Sequence, residues 1–154
     1  MLREIAFFSA VEEIFMQNAA AHSRIIQAEE IISIADACLG GLRGRSALVI
    51  GPKEQRHPYI QLLQKAEMKN IYQEDTHFQV SAILPNVQLL ISVPATLPPV
   101  PLLKACTIAE GCVGRRTPLL IFDLATSASS VEEIAGLLPT VCLYTPEDLW
   151  RIFS

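Results

Sequence analysis

The stretch that decides the fold is Arg45-Ser-Ala-Leu-Val-Ile-Gly-Pro-Lys-Glu-Gln-Arg-His57. The apolar residues Ala47–Ile50 predict a buried strand, and a helix is expected to follow Gly51. A strand, a glycine turn and a helix in this order place backbone N–H groups where they can hold a phosphate. This is the layout of a dinucleotide-binding turn, in which glycines occupy the first, third and sixth positions.

The turn departs from that pattern at two of its three glycine positions. Gly51 is the first glycine, but Lys53 stands at the third position and Arg56 at the sixth. Pro52 has no N–H to offer a phosphate. Lys53 and Arg56, with Arg43 and Arg45 nearby in sequence, are either an anion site built from side-chain charge or the solvated ends of a strand and a helix. The sequence alone leaves both interpretations open.

The rest of the chain alternates between strand-like and helical segments. Strands are predicted at Ala47–Ile50, Asn70–Gln73, Leu89–Val93, Leu119–Leu124 and Val141–Tyr144. After an N-terminal helix, further helices are predicted at about Ser23–Leu39, Pro58–Met68, Val100–Cys106, Val131–Leu138 and Pro146–Phe153. The pattern predicts an α/β fold with a mainly parallel twisted sheet flanked by helices. We expect an N-terminal helical segment over residues 1–42 and a nucleotide-binding-type domain over residues 43–154.

Composition narrows the classes of protein further. The chain has 154 residues, 51% of them hydrophobic, which suffices for one domain with a sizeable core. Its apolar runs are shorter than the roughly 20 residues that cross a bilayer, and its acidic N-terminus is unlike a signal peptide. We therefore expect no membrane association and a cytoplasmic location. The net charge of -4 argues against a nucleic-acid-binding surface.

The cysteines do not have the spacing of metal ligands. All lie in or beside apolar segments, namely Cys38, Cys106, Cys112 and Cys142. We therefore predict buried free thiols and no metal site, in preference to disulfides or a zinc site.

Several segments resemble a known family. Leu119-Leu-Ile-Phe-Asp-Leu-Ala125, Val131-Glu-Glu-Ile-Ala135 and Val141-Cys-Leu-Tyr-Thr-Pro-Glu-Asp-Leu149 are similar to the end of the NADP-binding domain of glutamyl-tRNA reductase, in the shikimate dehydrogenase/glutamyl-tRNA reductase superfamily. Arg43–Gly51 resembles its first strand, Glu54 the acidic residue in its glycine turn, and Leu89–Ser92 the strand before its nicotinamide-side loop. The resemblance implies a Rossmann-like fold, oxidoreductase ancestry and a link to tetrapyrrole biosynthesis. It leaves NAD(P) binding open.

The resemblance and the spacing together select candidate cofactor-binding residues: Gly51, Lys53, Arg56, Glu74, Asp75, Pro94 and Asp123. Glu74-Asp75-Thr76 stands where the family has Asn-Arg-Thr, so an acid would meet the 2′-phosphate of NADP. Such an acid suits the ribose hydroxyls of NAD, although ordinary turn residues look the same. Pro94 stands where the family has a threonine near the nicotinamide. Asp123 either faces a cleft or caps the turn through Thr126-Ser127.

These departures leave three hypotheses for the function. The chain is an NAD(P)-dependent oxidoreductase domain that needs a partner for its substrate, a non-catalytic relative, or a module that binds an anion or small ligand. We expect neither the family's catalytic domain with its thioester-forming cysteine nor its helical dimerisation domain in these residues, so no catalytic residue is assigned. Lys53 at the close-approach position favours the last two hypotheses.

The expected partner is another protein or a second copy of this chain. It would bind through the N-terminal helices, which carry a broad apolar stripe at Ile5, Phe8, Val11 and Phe15.

Overall fold

A computed structural model describes residues 26–93, 102–126 and 129–153. Its sheet has the strands β1 (Ser46–Ile50), β2 (Asn70–Glu74), β3 (Leu89–Ser92), β4 (Leu119–Asp123) and β5 (Val141–Tyr144). The strand order is β2-β1-β3-β4-β5, and every neighbouring pair is parallel. This confirms the predicted α/β Rossmann-like fold, and each predicted strand lies within a residue of its observed bounds.

The central strands are covered on both faces, as their continuous apolar runs predict. Every residue of β1, β3 and β4 is buried, whereas the two outer strands β2 and β5 are largely half-buried or exposed. A strand that is buried on both faces needs apolar residues at successive positions, which is the pattern of Leu119-Leu-Ile-Phe122. The sequence of these strands therefore already specifies their place in the middle of the sheet.

The helices are α1 (Ala28–Leu39), α2 (Lys53–Lys65), α3 (Val80–Ile83), α4 (Ala105–Gly111) and α5 (Pro146–Phe153), with 3₁₀ segments at Leu84–Asn86 and Glu133–Leu137. Helix α1 ends as predicted, because Gly40 adopts the left-handed conformation at φ 67° and its N–H bonds to the last turn. The core between the helices and the sheet is formed by residues such as Leu48, Leu90 and Ile121.

Three helix predictions were wrong in their bounds or type. Helix α2 begins at Lys53 and carries Pro58 inside it, because the charged residues before Pro58 hide the helical pattern and a proline φ of about −65° still suits a helix. The helix predicted over Val100–Cys106 is instead α4, since Leu103 forms a parallel bridge with Val131 and cannot be helical. The segment predicted as a helix at Val131–Leu138 is a 3₁₀ helix over Glu133–Leu137.

The prediction of buried cysteines was also wrong. Cys38, Cys106 and Cys142 are exposed and Cys112 is half-buried. Apolar neighbours in sequence do not bury a residue that lies on the solvent-facing side of a helix or on an edge strand. Cys38 Sγ lies 3.5 Å from the hydroxyl of Tyr144 at such an edge.

Several predictions fall outside the described residues, including the N-terminal apolar stripe and Pro94. Residues Gln27–Pro146 form one unit, which holds α1 together with the sheet. The predicted boundary between residues 42 and 43 stays a prediction. Helix α5 belongs to a second unit, where Arg151 pairs with Glu147 one turn away. Within the described ranges, no helix has both the length and the apolar character to span a membrane.

Candidate functional site

The candidate site lies at the carboxyl edge of the sheet, where β1 and β3 are neighbours. The chain leaves β1 towards β2 on one side and returns to β3 on the other, and ligands of open α/β sheets bind at such a switch point. Gly51 follows β1 with φ 136°, and a Cβ atom on it would lie 2.3 Å from Cγ2 of Val93 and 2.7 Å from the Val93 carbonyl oxygen. The first glycine of the turn is therefore required by the fold, whether or not a ligand binds.

The backbone of the turn offers few N–H groups to a phosphate. The Gly51 N–H donates to the carbonyl oxygen of Glu74 at 3.0 Å, and Pro52, the N-cap of α2, has none. The Arg56 N–H donates to the Pro52 carbonyl oxygen as the first bond of the helix. What remains is the first turn of α2, which begins with the exposed residue Lys53.

Arg56 fills the sixth position of the turn with a buried charge. The residue is only 6% exposed, and its Nη2 atom lies 3.1 Å from Oδ1 of Asp75, whose side chain is 75% exposed. Its Nε atom is buried without a hydrogen-bond partner among the described residues. The structure thus brings together two residues that the sequence assigned to the site separately. The carboxylate best placed for a ribose is engaged by the arginine.

The other predicted cations lie elsewhere. Arg43 and Arg45 precede β1, so the length of that strand, roughly 16 Å, separates them from the turn. Arg45 donates to the carbonyl oxygens of Leu39 and Gly41 and so satisfies the end of α1. Of the two interpretations left open, an anion site that includes all four cations does not fit this geometry, because residues at opposite ends of a strand are close in sequence but distant in space.

Asp123 anchors the loop that follows β4. Its carboxylate is 1% exposed and accepts hydrogen bonds from the N–H groups of Ala125, Ser130 and Val131, at 2.8 to 3.1 Å, and from the hydroxyl of Ser130 at 2.6 Å. The predicted cap was placed on the Thr126-Ser127 turn, whereas the observed bonds reach residues on either side of it. These donors satisfy the buried anion, and they fix both ends of the loop.

The network extends to the end of β3. The Ser92 and Ser130 hydroxyl oxygens are 2.8 Å apart and both residues are buried. Because the single proton of Ser130 is donated to Asp123, the Ser92 hydroxyl donates to Ser130. Sequence reasoning missed both serines. The only signal was a serine directly before the apolar residue Val131, which is too common to single out.

Other groups at this edge add little chemistry. His77 follows β2 and is half-buried, and burial lowers its pKa. Pro94 and residues 127–128 lie outside the described residues. Over the described ranges, no group of three or more His, Cys, Asp or Glu side chains is arranged to hold a metal ion.

Comparison with known proteins agrees with this architecture. No family model matches the sequence. The chain is 30% identical to a glutamyl-tRNA reductase from Methanospirillum hungatei over 144 residues, an alignment that covers 79% of this chain and 34% of that protein. The predicted resemblance is confirmed: the two proteins are homologous, and this chain spans about a third of the length of its relative.

One of two similar solved structures shows the same fold. A dipicolinate synthase chain from Bacillus halodurans superposes with a TM-score of 0.63 at 14% identity, over 88% of this protein and 53% of the synthase chain. The TT0316 protein from Thermus thermophilus gives a TM-score of 0.48 at 13% identity, over 84% of this chain and 46% of that chain. At this level of identity, the match to dipicolinate synthase describes the fold alone.

Proposed function

We propose that this chain, a homologue of glutamyl-tRNA reductase, has lost strong dinucleotide binding at its Rossmann turn and acts as a non-catalytic or partner-dependent protein linked to tetrapyrrole biosynthesis. One observation carries the proposal, namely the ion pair between the buried Arg56 and Asp75. It joins the turn after β1 to the end of β2, the corner in which a dinucleotide places its phosphates and its adenosine ribose.

The ion pair engages both residues with each other instead of with a dinucleotide. A glycine at the sixth position lets a helix pack closely on the strand, whereas here a guanidinium occupies that place. An unsatisfied buried donor such as Arg56 Nε costs about 1–3 kcal/mol, so its burial needs compensation. Asp75 supplies part of that compensation from within the chain, because it pairs with Nη2 of the same guanidinium, whereas Nε has no partner among the described residues. Arg56 is held by a protein carboxylate in the way that a phosphate would otherwise hold it.

The remaining residues of the turn do not fit a pyrophosphate held on backbone N–H groups. The Gly51 N–H is used by Glu74, Pro52 has no N–H, and Lys53 carries a side chain where the family's turn has a glycine. The acids at the end of β2 add repulsion towards the 2′-phosphate of NADP. A domain with these features does not transfer hydride by itself, which supports a regulatory or scaffolding role beside a protein partner.

Calorimetric titration tests this proposal. NADPH and NADH are titrated into the full chain, and we expect dissociation constants above about 1 mM, corresponding to less than about 4 kcal/mol of binding free energy. A variant that restores the glycines, Lys53→Gly with Arg56→Gly, is expected to bind NADH at least about tenfold more tightly, a gain of about 1.4 kcal/mol. Circular dichroism checks that the variant is folded.

The matched control is Lys104→Gly, which removes an exposed cation that precedes α4. It should bind as weakly as the natural chain. Micromolar binding of NADPH by the natural chain would overturn the proposal, because the turn would then hold a dinucleotide in spite of its side chains. So would unchanged binding by a folded glycine-restored variant.

A further inference from the structure

The amino-terminal edge of the sheet is basic, although the chain as a whole has a net charge of -4. Glu67 is the one acid in the segments 40–45, 66–69, 84–88 and 112–118, which directly precede β1, β2, β3 and β4. The cations on or beside those segments are Arg43, Arg45, Lys65, Lys69, Arg115 and Arg116. The rest of the chain must therefore carry a larger excess of acids than the net charge suggests.

Two of these arginines serve the fold. Arg45 binds the last carbonyl groups of α1, and Arg115 donates to carbonyl oxygens of Leu84, Val87, Thr117 and Pro118. Arg43 forms an exposed ion pair with Glu67. Lys65, Lys69 and Arg116 are exposed, and we call these three residues the basic edge.

Two residues of the basic edge mark the ends of a row of strand starts, since Lys69 directly precedes β2 and Arg116 precedes β4, while Lys65 ends α2 four residues before Lys69. The Lys69 N–H donates to the Arg45 carbonyl oxygen at 2.7 Å, which joins the starts of β2 and β1. Arg115 Nη1 donates to Leu84 at 2.8 Å, which joins the segments before β4 and β3. In the strand order β2-β1-β3-β4, neighbouring strands are about 4.8 Å apart, so the row extends over roughly 14 Å.

An acidic stripe runs along helix α1 and away from the basic edge. Helix α1 ends at this edge, where Arg45 Nη2 donates to the Leu39 carbonyl oxygen at 2.7 Å. Glu29 and Asp36 are exposed on α1 and seven residues apart, so they share one face of the helix. They are about 10 Å apart along the helix axis. We call these two residues the acidic stripe.

We propose that two copies of this chain associate through a two-fold contact, in which the basic edge of each copy lies on the acidic stripe of the other. A two-fold contact uses the same surface on both partners, so it requires a patch that is complementary to itself. Adjacent patches of opposite charge and similar length meet this requirement. A nucleic acid suits the edge less well, because its extended charge is repelled by the acidic remainder of the molecule.

The test is sedimentation velocity of the full chain, combined with charge reversal. At low salt the natural chain is expected to form dimers, and about 0.5 M NaCl is expected to raise the dissociation constant at least about tenfold. The edge variant Lys65→Glu, Lys69→Glu and Arg116→Glu, and the stripe variant Glu29→Lys and Asp36→Lys, should each be monomeric. All of these side chains are exposed, and circular dichroism confirms folding.

Mixing the two variants gives the decisive result. The reversed, acidic edge of the edge variant can then bind the reversed, basic stripe of the stripe variant. The unchanged basic edge of the stripe variant can bind the unchanged acidic stripe of the edge variant, so a heterodimer should form. The control Lys104→Glu reverses an exposed cation outside the edge and should leave the dimer intact.

Three results would overturn the proposal. The first is a natural chain that is monomeric at low salt. The second is a dimer that persists at high salt and in both variants, since an apolar contact, such as one through the predicted apolar stripe of the N-terminal helices, would then hold the two copies together. The third is a mixture of the two variants that stays monomeric.

Discussion

The Ser130 hydroxyl lies 2.6 Å from Oδ1 of Asp123, and among the described residues the carboxylate accepts four hydrogen bonds from N–H and O–H donors in its own loop and at the start of the next segment. Both residues are buried. A buried carboxylate with four donors and a serine relay to β3 holds the loop after β4 rigidly against the neighbouring strand. The arrangement explains why an aspartate stands at the end of an otherwise apolar strand.

The first prediction therefore concerns Asp123→Asn. The asparagine side chain keeps the shape but replaces one accepting oxygen with an NH₂ group that faces the existing donors. We expect a loss of about 2–4 kcal/mol in the free energy of unfolding, since two or more buried donors lose their acceptor. Urea denaturation measures it. Ser129→Ala, at a half-buried serine of the same loop, is the control and should cost less than about 1 kcal/mol. A variant as stable as the natural chain would contradict this account.

The second prediction concerns Gly51→Ala. The substitution meets both a φ of 136° that L side chains avoid and a Cβ position 2.3 Å from Val93 Cγ2. We expect a loss of at least about 3 kcal/mol in thermal or urea unfolding, because strain and overlap add. Gly114→Ala is the matched control, since Gly114 has φ 73° and nothing within 4 Å of its Cβ position. It should cost only about 1–2 kcal/mol. Equal losses in the free energy of unfolding at the two glycines would show that overlap with Val93 does not contribute to the effect.

Much of this architecture could be predicted from the sequence, and the reason lies in the strands. A short run such as Leu119-Leu-Ile-Phe122 between turn signals favours a strand covered on both faces, and every residue of this strand is buried. The start of α2 could not be predicted, because Lys53 to His57 show no apolar period and Pro58 resembles a helix start. Backbone geometry and tertiary contacts, rather than periodicity, decide that helix.

The candidate site was predicted in its parts but not in its connections. Arg56 and Asp75 were both selected by their spacing, yet no spacing shows that two residues separated by a helix and a strand form an ion pair. Ser92 and Ser130 were missed for the same reason. Side-chain partners across a sheet edge depend on the topology, which becomes known only with the fold.

The third prediction concerns Arg115→Lys. The planar guanidinium reaches carbonyl oxygens in two segments, including Leu84 at 2.8 Å and Thr117 at 2.7 Å. A lysine ammonium keeps the charge but cannot match the fork geometry. We expect the free energy of unfolding to fall by about 2 kcal/mol, because carbonyl groups lose their donors. Arg116→Lys, at the exposed neighbour, should change it by less than about 0.5 kcal/mol. Similar effects at both arginines would refute the assigned role.

The fourth prediction is a pH dependence that arises from His77. Burial lowers the pKa of this side chain from the ordinary value of 6.5, so the folded state binds the proton less readily than the unfolded state. Above the pKa that His77 has in the unfolded state, the stability associated with the neutral side chain is fully present. It is lost as the pH falls through the lower pKa that His77 has in the folded state. Between about pH 8 and about pH 5, the natural chain should thus lose more stability than His77→Gln. Parallel pH profiles for the two proteins would show that burial of His77 is not coupled to folding.

The last prediction concerns the choice between cofactors in the glycine-restored variant, Lys53→Gly with Arg56→Gly. Removing Arg56 frees the carboxylate of Asp75, which then can accept from the ribose hydroxyls of NADH but repels the 2′-phosphate of NADPH. A carboxylate within about 4–6 Å of a phosphate costs on the order of 1 kcal/mol at a partly exposed site, so NADH should bind at least about fivefold more tightly. Adding Asp75→Asn to the variant should reduce this preference, with Asp148→Asn on α5 as the control that leaves it unchanged. Tighter binding of NADPH than of NADH by the glycine-restored variant would show that the end of β2 does not lie at the ribose. The acids at Glu74 and Asp75 would then have to be explained by their place in the turn alone.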